Sequence, residues 1–381
     1  MIYIKNANVV LENGILFGGV LVVERNRIIN VGTEDEIPVA NNAEIIDAKG
    51  LYIGPGFVDI HVHGGGGAMF FESPKKAAEH FLLHGETTLL PTFYCTMNKD
   101  AFLEGIKRVR KVMQQESIGK AIAGFYMEGP YLNPKYGASA GFNQWSGEIK
   151  KTDYKGIIDA AGRDAKIWVV APERTGIENF MSYAKFVNPK VGFAVGHSEA
   201  SLIQINKVKK YGILLLTHCM NATAAVSTWK GTRACGPDEV CFLDDDMYAE
   251  LICDSLGIHV NPALQRLILK VKGIDKLVLI SDSFVTEFKE QKTLKNITDL
   301  SFDENGDLCG SKLTMDKACR NLMKHTNCGI AQAFLAASRN PARVIGLDDE
   351  IGSITVGKKA NLVFVDDLFN VKKVMLEGKF I

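Results

Sequence analysis

Charge of one sign is what this 381-residue chain lacks: its 44 lysines and arginines are balanced by 44 aspartates and glutamates. With no net charge there is no long-range pull toward nucleic acid or anionic lipid, and neither is expected as a partner. No apolar run reaches the roughly 18 residues that a membrane span needs. Met1-Ile2-Tyr3-Ile4-Lys5-Asn6 has no basic region followed by an apolar stretch, so no secretory signal is expected and the expected location is the cytoplasm. None of the eight cysteines has C-x-x-C spacing. A chain of this length does not need disulfides to fold, so mostly buried free thiols are expected. Repeats and low-complexity tracts are also missing.

What is present is ordinary in amount and regular in order. The apolar fraction of 46% and charged fraction of 23% suit a globular protein, and the length fits two domains or one large barrel with an appendage. Strand-like runs are read at Phe57–His63, Thr87–Thr92, Ala121–Glu128, Ile167–Pro172, Gly192–His197, Ile213–His218, Ala249–Ile252 and Lys276–Ser281. Several of them ("IWVVAP", "ILLLTH", "KLVLIS") are continuously apolar, as strands covered on both faces are. Helical patterns fall between them, for example at Ser73–Leu83, Asp100–Gln114, Ser198–Lys209 and Asn261–Val271. Eight such alternations predict an α/β fold, a (β/α)₈ TIM-type barrel over residues 55–345. Residues 1–54 and 346–381 read as short half-alternating strands with turns at Asn13-Gly14, Gly18-Gly19 and Glu377-Gly378-Lys379. Neither end can bury a sheet face alone, so both are expected to share one small β domain, a β-sandwich beside the barrel.

The polar residues fall in a pattern on that map. In "PGFVDIHVHGGGG", Asp59, His61 and His63 share one face of a strand while Val58, Ile60 and Val62 take the other. Glu128 ends the third strand ("FYMEGPYL"), His197 the fifth ("FAVGHSEA"), His218 the sixth ("LLLTHCMNA") and Asp282 the eighth ("LVLISDSF"). All lie at carboxyl ends, where barrel enzymes carry their active sites. Neutral imidazoles and carboxylates are ligands for divalent ions of the zinc or iron kind. A metal can lower the pKa of its water, a carboxylate such as Asp282 can move the proton, and the two together suit amide hydrolysis. His80 and His84 lack the following Glu of a zinc-protease helix and read as helix-surface residues. His325 reads as a residue late in a helix. His259, after the seventh strand, reads as a substrate contact.

These motifs together with "MEGPYLNP", "GHSEA", "THCMNA", "NGDLCGSKLTMDKACRNL" and "ASRNPARVIGLDDEIGSITVGKKANLVFVD" are similar to those of the amidohydrolase superfamily, and within it the N-acetylglucosamine-6-phosphate deacetylases. The resemblance spans nearly the whole chain. It implies a principal divalent metal on Glu128, His197 and His218 and a second on His61 and His63, one or two ions per subunit. Asp282 would transfer protons. Asn221, Ala222, Arg233 and His259 would meet the phosphate of an amino-sugar phosphate, and Leu308, Cys309 and Gly310 would line the sugar pocket. A homodimer is implied, because some phosphate contacts in that family come from a neighbouring subunit.

The pattern departs from the family in three places. Ser139, after Ala138, stands where the family has a histidine that polarises the substrate carbonyl. Cys253-Asp254-Ser255-Leu256-Gly257 is longer than the usual Ala-Asp-Gly. Ser283-Phe284-Val285-Thr286-Glu287-Phe288 replaces a small-residue run. A second metal in place of the missing histidine is one expectation. N-acetylgalactosamine-6-phosphate or another N-acylated amine stays open as substrate. So does a non-enzymatic sugar-phosphate sensor, although an intact Asp282 serves no purpose in a binder.

Overall fold

A computed structural model of the chain describes residues 1–137, 140–224, 228–285, 297–302 and 308–381. Its centre is a sheet of eight strands: Phe57–Val62, Glu86–Tyr94, Phe125–Glu128, Ala165–Val170, Gly192–Val195, Ile213–Leu216, Tyr248–Ile252 and Leu277–Ile280. Each is parallel to the next in chain order. First and last strands meet at their carboxyl ends. There the Asp282 N–H donates to His61 O at 2.9 Å, and the N–H groups of His63 and Gly64 both donate to Ser283 O at 2.9 Å. Asp59 Oδ1 crosses the same seam, accepting from the backbone N–H of Ser281 at 3.4 Å and of His61 at 3.2 Å. This closure leaves the barrel without an exposed edge there. Helices pack outside it, and one continuous core runs between the two layers.

The strands match the expected barrel, and capping chemistry accounts for the shifted ends. Ala121 closes a short 3₁₀ turn (Ser117–Ala121), so the third strand starts only at Phe125. The fifth helix begins at Leu202 rather than Ser198, because Ser201 and Gln204 form a reciprocal capping box. Asn261 is the cap of Pro262–Lys272, accepting from the Ala263 N–H.

The chain ends meet in one mixed sheet. Its order is Lys379–Phe380, Val371–Leu376, Leu362–Val365, Tyr52–Pro55, Ile2–Leu11, Gly14–Glu24 and Arg27–Gly32. Glu44–Asp47 pairs with the first half of Ile2–Leu11. Alternation decides the faces. Leu362 and Phe364 enter the sheet's own core with Ile4, Leu21 and Ile53, while Val363 and Val365 turn into the barrel core. Gly54 marks the close approach between the parts, since a Cβ there would lie 2.1 Å from the Phe334 ring. Among the described residues no helix is long and apolar enough to cross a membrane. The seven described cysteines are free, all but Cys235 buried.

Asn340, fully buried, ties the last helical segment to the eighth strand: its Nδ2 donates to Ile274 O and Leu277 O, both at 2.7 Å. Asn340→Ala removes the donor that serves both carbonyls. It is expected to destabilise by about 2–4 kcal/mol in denaturant titration, and a loss within error of zero would contradict this role.

Candidate metal centre and active site

Each site residue reaches the barrel mouth through a local backbone device. His61 lies within the first strand and His63 just beyond it, and Glu128 is the last residue of the third. His197, His218 and Asp282 each sit two residues past a strand end with φ of 45°, 30° and 47°. That left-handed region is unfavourable for a side-chain-bearing residue and costs about 1–3 kcal/mol at each position. It is held by neighbours. The Asn133 N–H donates to His197 O at 3.0 Å, the Asn221 N–H to His218 O at 2.9 Å, and the Cys219 N–H to Glu250 O at 2.8 Å.

The side chains converge on Glu128. Its Oε1 lies 2.8 Å from His197 Nε2 and 3.2 Å from His218 Nε2. Its Oε2 lies 3.3 Å from His63 Nε2 and 3.6 Å from His61 Nε2. One carboxylate therefore serves two ligand groups, Glu128–His197–His218 and His61–His63–Glu128. Asp282 Oδ1 joins the second group, 3.2 Å from His63 Nε2 and 3.5 Å from His61 Nε2.

The far ring nitrogens show how the near ones are presented. His197 Nδ1 faces Tyr136 O and His218 Nδ1 faces Asn221 O, both at 3.1 Å. A carbonyl only accepts, so Nδ1 carries the proton and Nε2 turns a lone pair to the centre. His61 Nδ1 faces Glu250 Oε2 at 3.3 Å. Its Nε2, fully buried, has no hydrogen-bond partner among the described residues. An orphaned imidazole nitrogen aimed at two carboxylates, in a set of only histidine nitrogen and carboxylate oxygen, fits a divalent cation.

The electrostatics agree. Burial opposes a charge on His61, but the carboxylates of Asp282 and Glu128 outweigh it and its pKa is raised well above the ordinary value. His63 and His218 are raised in the same way against burial, by Asp282 and Glu128 and chiefly by Glu128 respectively. Burial opposes ionisation of Glu128 too, yet the facing imidazoles hold it well below the carboxylate range, and Asp282 is also lowered.

The remaining expected residues are placed unevenly. Asn221 Nδ2 donates to His259 O at 3.1 Å, which joins the loops after strands six and seven, and Ala222 follows with φ 54°. His259 Nδ1 is 3.2 Å from Asp254 Oδ2, and Asp254 also accepts from the N–H groups of Leu256, Ile258 and His259. That carboxylate organises the longer loop. Arg233 stands apart on the hairpin of Thr228–Trp229 and Thr232–Arg233, 73% exposed and paired with Glu239 at 2.9 Å. Leu308 and Gly310 lie on the strand Leu308–Ser311, whose Ser311 O accepts from the Phe284 N–H next to the Asp282 segment. Ala138 and Ser139 lie outside the described residues, as do the Cys309 side chain and Thr286–Phe288. Gly137 packs against the His197 ring on the side away from Glu128, where a Cβ would come 2.4 Å from His197 Nδ1. His84 pairs with Asp316 at 3.3 Å, away from the centre.

Sequence reading missed the residues behind the ligands: Glu250, Tyr126, Glu173 and Asp238. Glu173 accepts from Asn133, Ser198 and the Glu199 N–H, and Asp238 accepts from Met220 N–H and Thr223. For Glu250 a signal existed, a carboxylate inside the otherwise apolar "YAELIC" of a strand buried on both faces.

A parallel barrel with imidazoles and carboxylates gathered at its carboxyl-end mouth is the architecture of a metal-dependent enzyme. The chain belongs to the amidohydrolase family, whose profile matches residues 52–381, and it is a hydrolase. It is 29% identical over 380 residues to N-acetylglucosamine-6-phosphate deacetylase of Bacillus subtilis strain 168, covering 95% of this chain and 92% of that one. N-acetylgalactosamine-6-phosphate deacetylase of Escherichia coli O157:H7 is 27% identical over 338 residues, 85% of this chain and 86% of that one. The crystal structure of N-acetylglucosamine-6-phosphate deacetylase from Pasteurella multocida superposes with a TM-score of 0.86 at 26% identity, covering 100% of this chain and 99% of that one.

The pKa directions determine how metal and pH act together. His61, His63 and His218 are raised, so without metal their stabilisation is complete below the ordinary imidazole value of 6.5 and is lost as pH rises through their folded values. Glu128 and Asp282 are lowered, so they contribute above their ordinary values of 4.5 and 3.8 and fail only on acidification. A divalent cation takes the place of the lost protons. Zinc is therefore expected to raise Tm, relative to chelated protein, by several degrees more at about pH 8 than at about pH 5.5. An equal or smaller rise at the higher pH would contradict the assignment.

Proposed function

We propose that this chain is a metal-dependent deacetylase that hydrolyses the N-acetyl group of N-acetylglucosamine-6-phosphate to glucosamine-6-phosphate and acetate. The observation that carries the reading is the doubled ligand set on Glu128 with Asp282 beside it, in a chain similar over nearly its whole length to such deacetylases. Glu128, His197 and His218 would hold the principal ion, and His61 and His63 with Glu128 a second, zinc or iron in either place. When bound, such an ion supplies Lewis acidity, activating water and offsetting negative charge on the acetyl oxygen. Asp282 does the proton work. Its carboxylate is held ionised, it is 21% exposed toward the mouth, and His63 Nε2 lies 3.2 Å from its Oδ1. It takes one proton from the attacking water and returns it to the amine nitrogen as the amide C–N bond breaks.

On the substrate side we assign the phosphate to Asn221, Ala222, His259 and Arg233, with Leu308, Cys309, Gly310, Ala138 and Ser139 around the sugar and acetyl groups. Support comes from Asn221, whose carbonyl holds His218 while its amide holds the His259 loop, one residue linking ligand and pocket. Phosphate would compete with Glu239 for the planar fork of Arg233. The exposure of that guanidinium supports a homodimer in which a second copy completes the phosphate site. A phosphorylated sugar is retained by its charge inside a cell, which supports a cytoplasmic location for the proposed reaction. N-acetylgalactosamine-6-phosphate is the second reading, favoured by the similar identity to the E. coli enzyme.

Acetate release from the two phosphorylated epimers and from unphosphorylated N-acetylglucosamine tests the proposal. Turnover is expected only with the phosphorylated sugars. Asp282→Asn is expected to lower kcat by about 10²–10⁴-fold; asparagine tolerates the left-handed backbone, so the change reads chemistry rather than folding. Metal-loaded protein inactive on both epimers would remove the substrate assignment and leave the hydrolase class intact.

A further inference from the structure

Glu250 lies on the seventh strand with its carboxylate inside the barrel, 0% exposed. Three donors converge on it. Tyr126 OH reaches Oε1 at 2.9 Å, while His61 Nδ1 at 3.3 Å and the His218 backbone N–H at 3.2 Å reach Oε2. The Tyr126 ring also stacks on the His61 ring, centroids 4.4 Å apart and planes 27° from parallel. We infer that Glu250 is the positioning residue that makes the His61–His63 half of the centre able to bind metal, an inference resting on the metal-dependent reading above.

A buried carboxylate that only accepts fixes the His61 proton on Nδ1 and prevents the ring from flipping. The Nε2 lone pair is then directed at Glu128 Oε2 and Asp282 Oδ1, 3.6 and 3.5 Å away, beyond a good hydrogen bond and open to a cation between them. The other half of the centre is supported differently, since backbone carbonyls orient His197 and His218. His63 Nδ1 has no hydrogen-bond partner among the described residues. The His61 half thus leans on one charged side chain from a strand two places away around the barrel, and removing that charge should empty one metal position and spare the other.

The test is zinc content by mass spectrometry after loading and dialysis, with cobalt(II) substitution as a spectroscopic readout of two neighbouring ions. Wild type is expected to hold two ions per chain and Glu250→Gln one. The weaker position should have its dissociation constant raised about 10–100-fold, and magnetic coupling between cobalt ions should be lost. Tyr126→Phe withdraws one donor from Glu250 while keeping the ring stacked on His61, and should weaken the same position by a smaller factor. In a His61→Ala background, adding Glu250→Gln should leave the affinity for the remaining ion unchanged. Two ions bound with wild-type affinity in Glu250→Gln would overturn the inference. So would further weakening in the His61→Ala background, which would mean that Glu250 acts through the His218 backbone. If Glu250→Gln does not fold, Tyr126→Phe decides, and wild-type affinity there overturns it. A single ion in wild type overturns the two-position reading along with this one, whereas two ions with unaltered variants overturn this one alone.

Discussion

The buried carboxylate of Glu128 is the constraint on which the site depends. It faces four imidazoles, two on each oxygen, with Asp282 beside one pair. An anion taken this far from water is tolerable only with positive charge close by. Protonated imidazoles or divalent cations can provide that charge. The raised histidine values and the lowered carboxylate values are two descriptions of the same requirement. The candidate ligands and Asp282 come from the ends of five of the eight strands, so meeting it holds most of the barrel mouth together.

Closure of the barrel and assembly of the site are also linked. The seam between the first and last strands is made by His61, His63, Asp282 and their immediate neighbours, using backbone hydrogen bonds of 2.9 Å. The left-handed turns at His197, His218 and Asp282 would relax if their surroundings loosened. The functional end of the barrel therefore combines strained turns with the hydrogen bonds that hold them.

Local pattern explains why much of this was legible in the sequence. Strand period places His61 and His63 on one face, and continuous apolar runs mark strands covered on both sides. A polar residue at the end of such a run has to emerge at the mouth, which locates Glu128, His197, His218 and Asp282 together. Glu250 follows no such rule. Its partners Tyr126 and His61 are 124 and 189 residues away in sequence, and only barrel closure brings them together. Glu173 and Asp238 escape for the same reason, being acceptors for loops whose paths no periodicity specifies. Arg233 illustrates the opposite case. A motif match can nominate a residue, but a short exposed hairpin paired with Glu239 sets where its side chain rests.

This division between strands and loops has a consequence for the evolution of substrate choice. The candidate metal ligands are set by strand geometry and by backbone carbonyls, while several expected substrate contacts sit on connections organised by Asp254, Asp238 and Glu173. Two amino-sugar epimers differ in the direction of one hydroxyl, and discriminating them requires donors and acceptors that match one and strand the other. A loop can change those groups while the centre beneath keeps its charge balance.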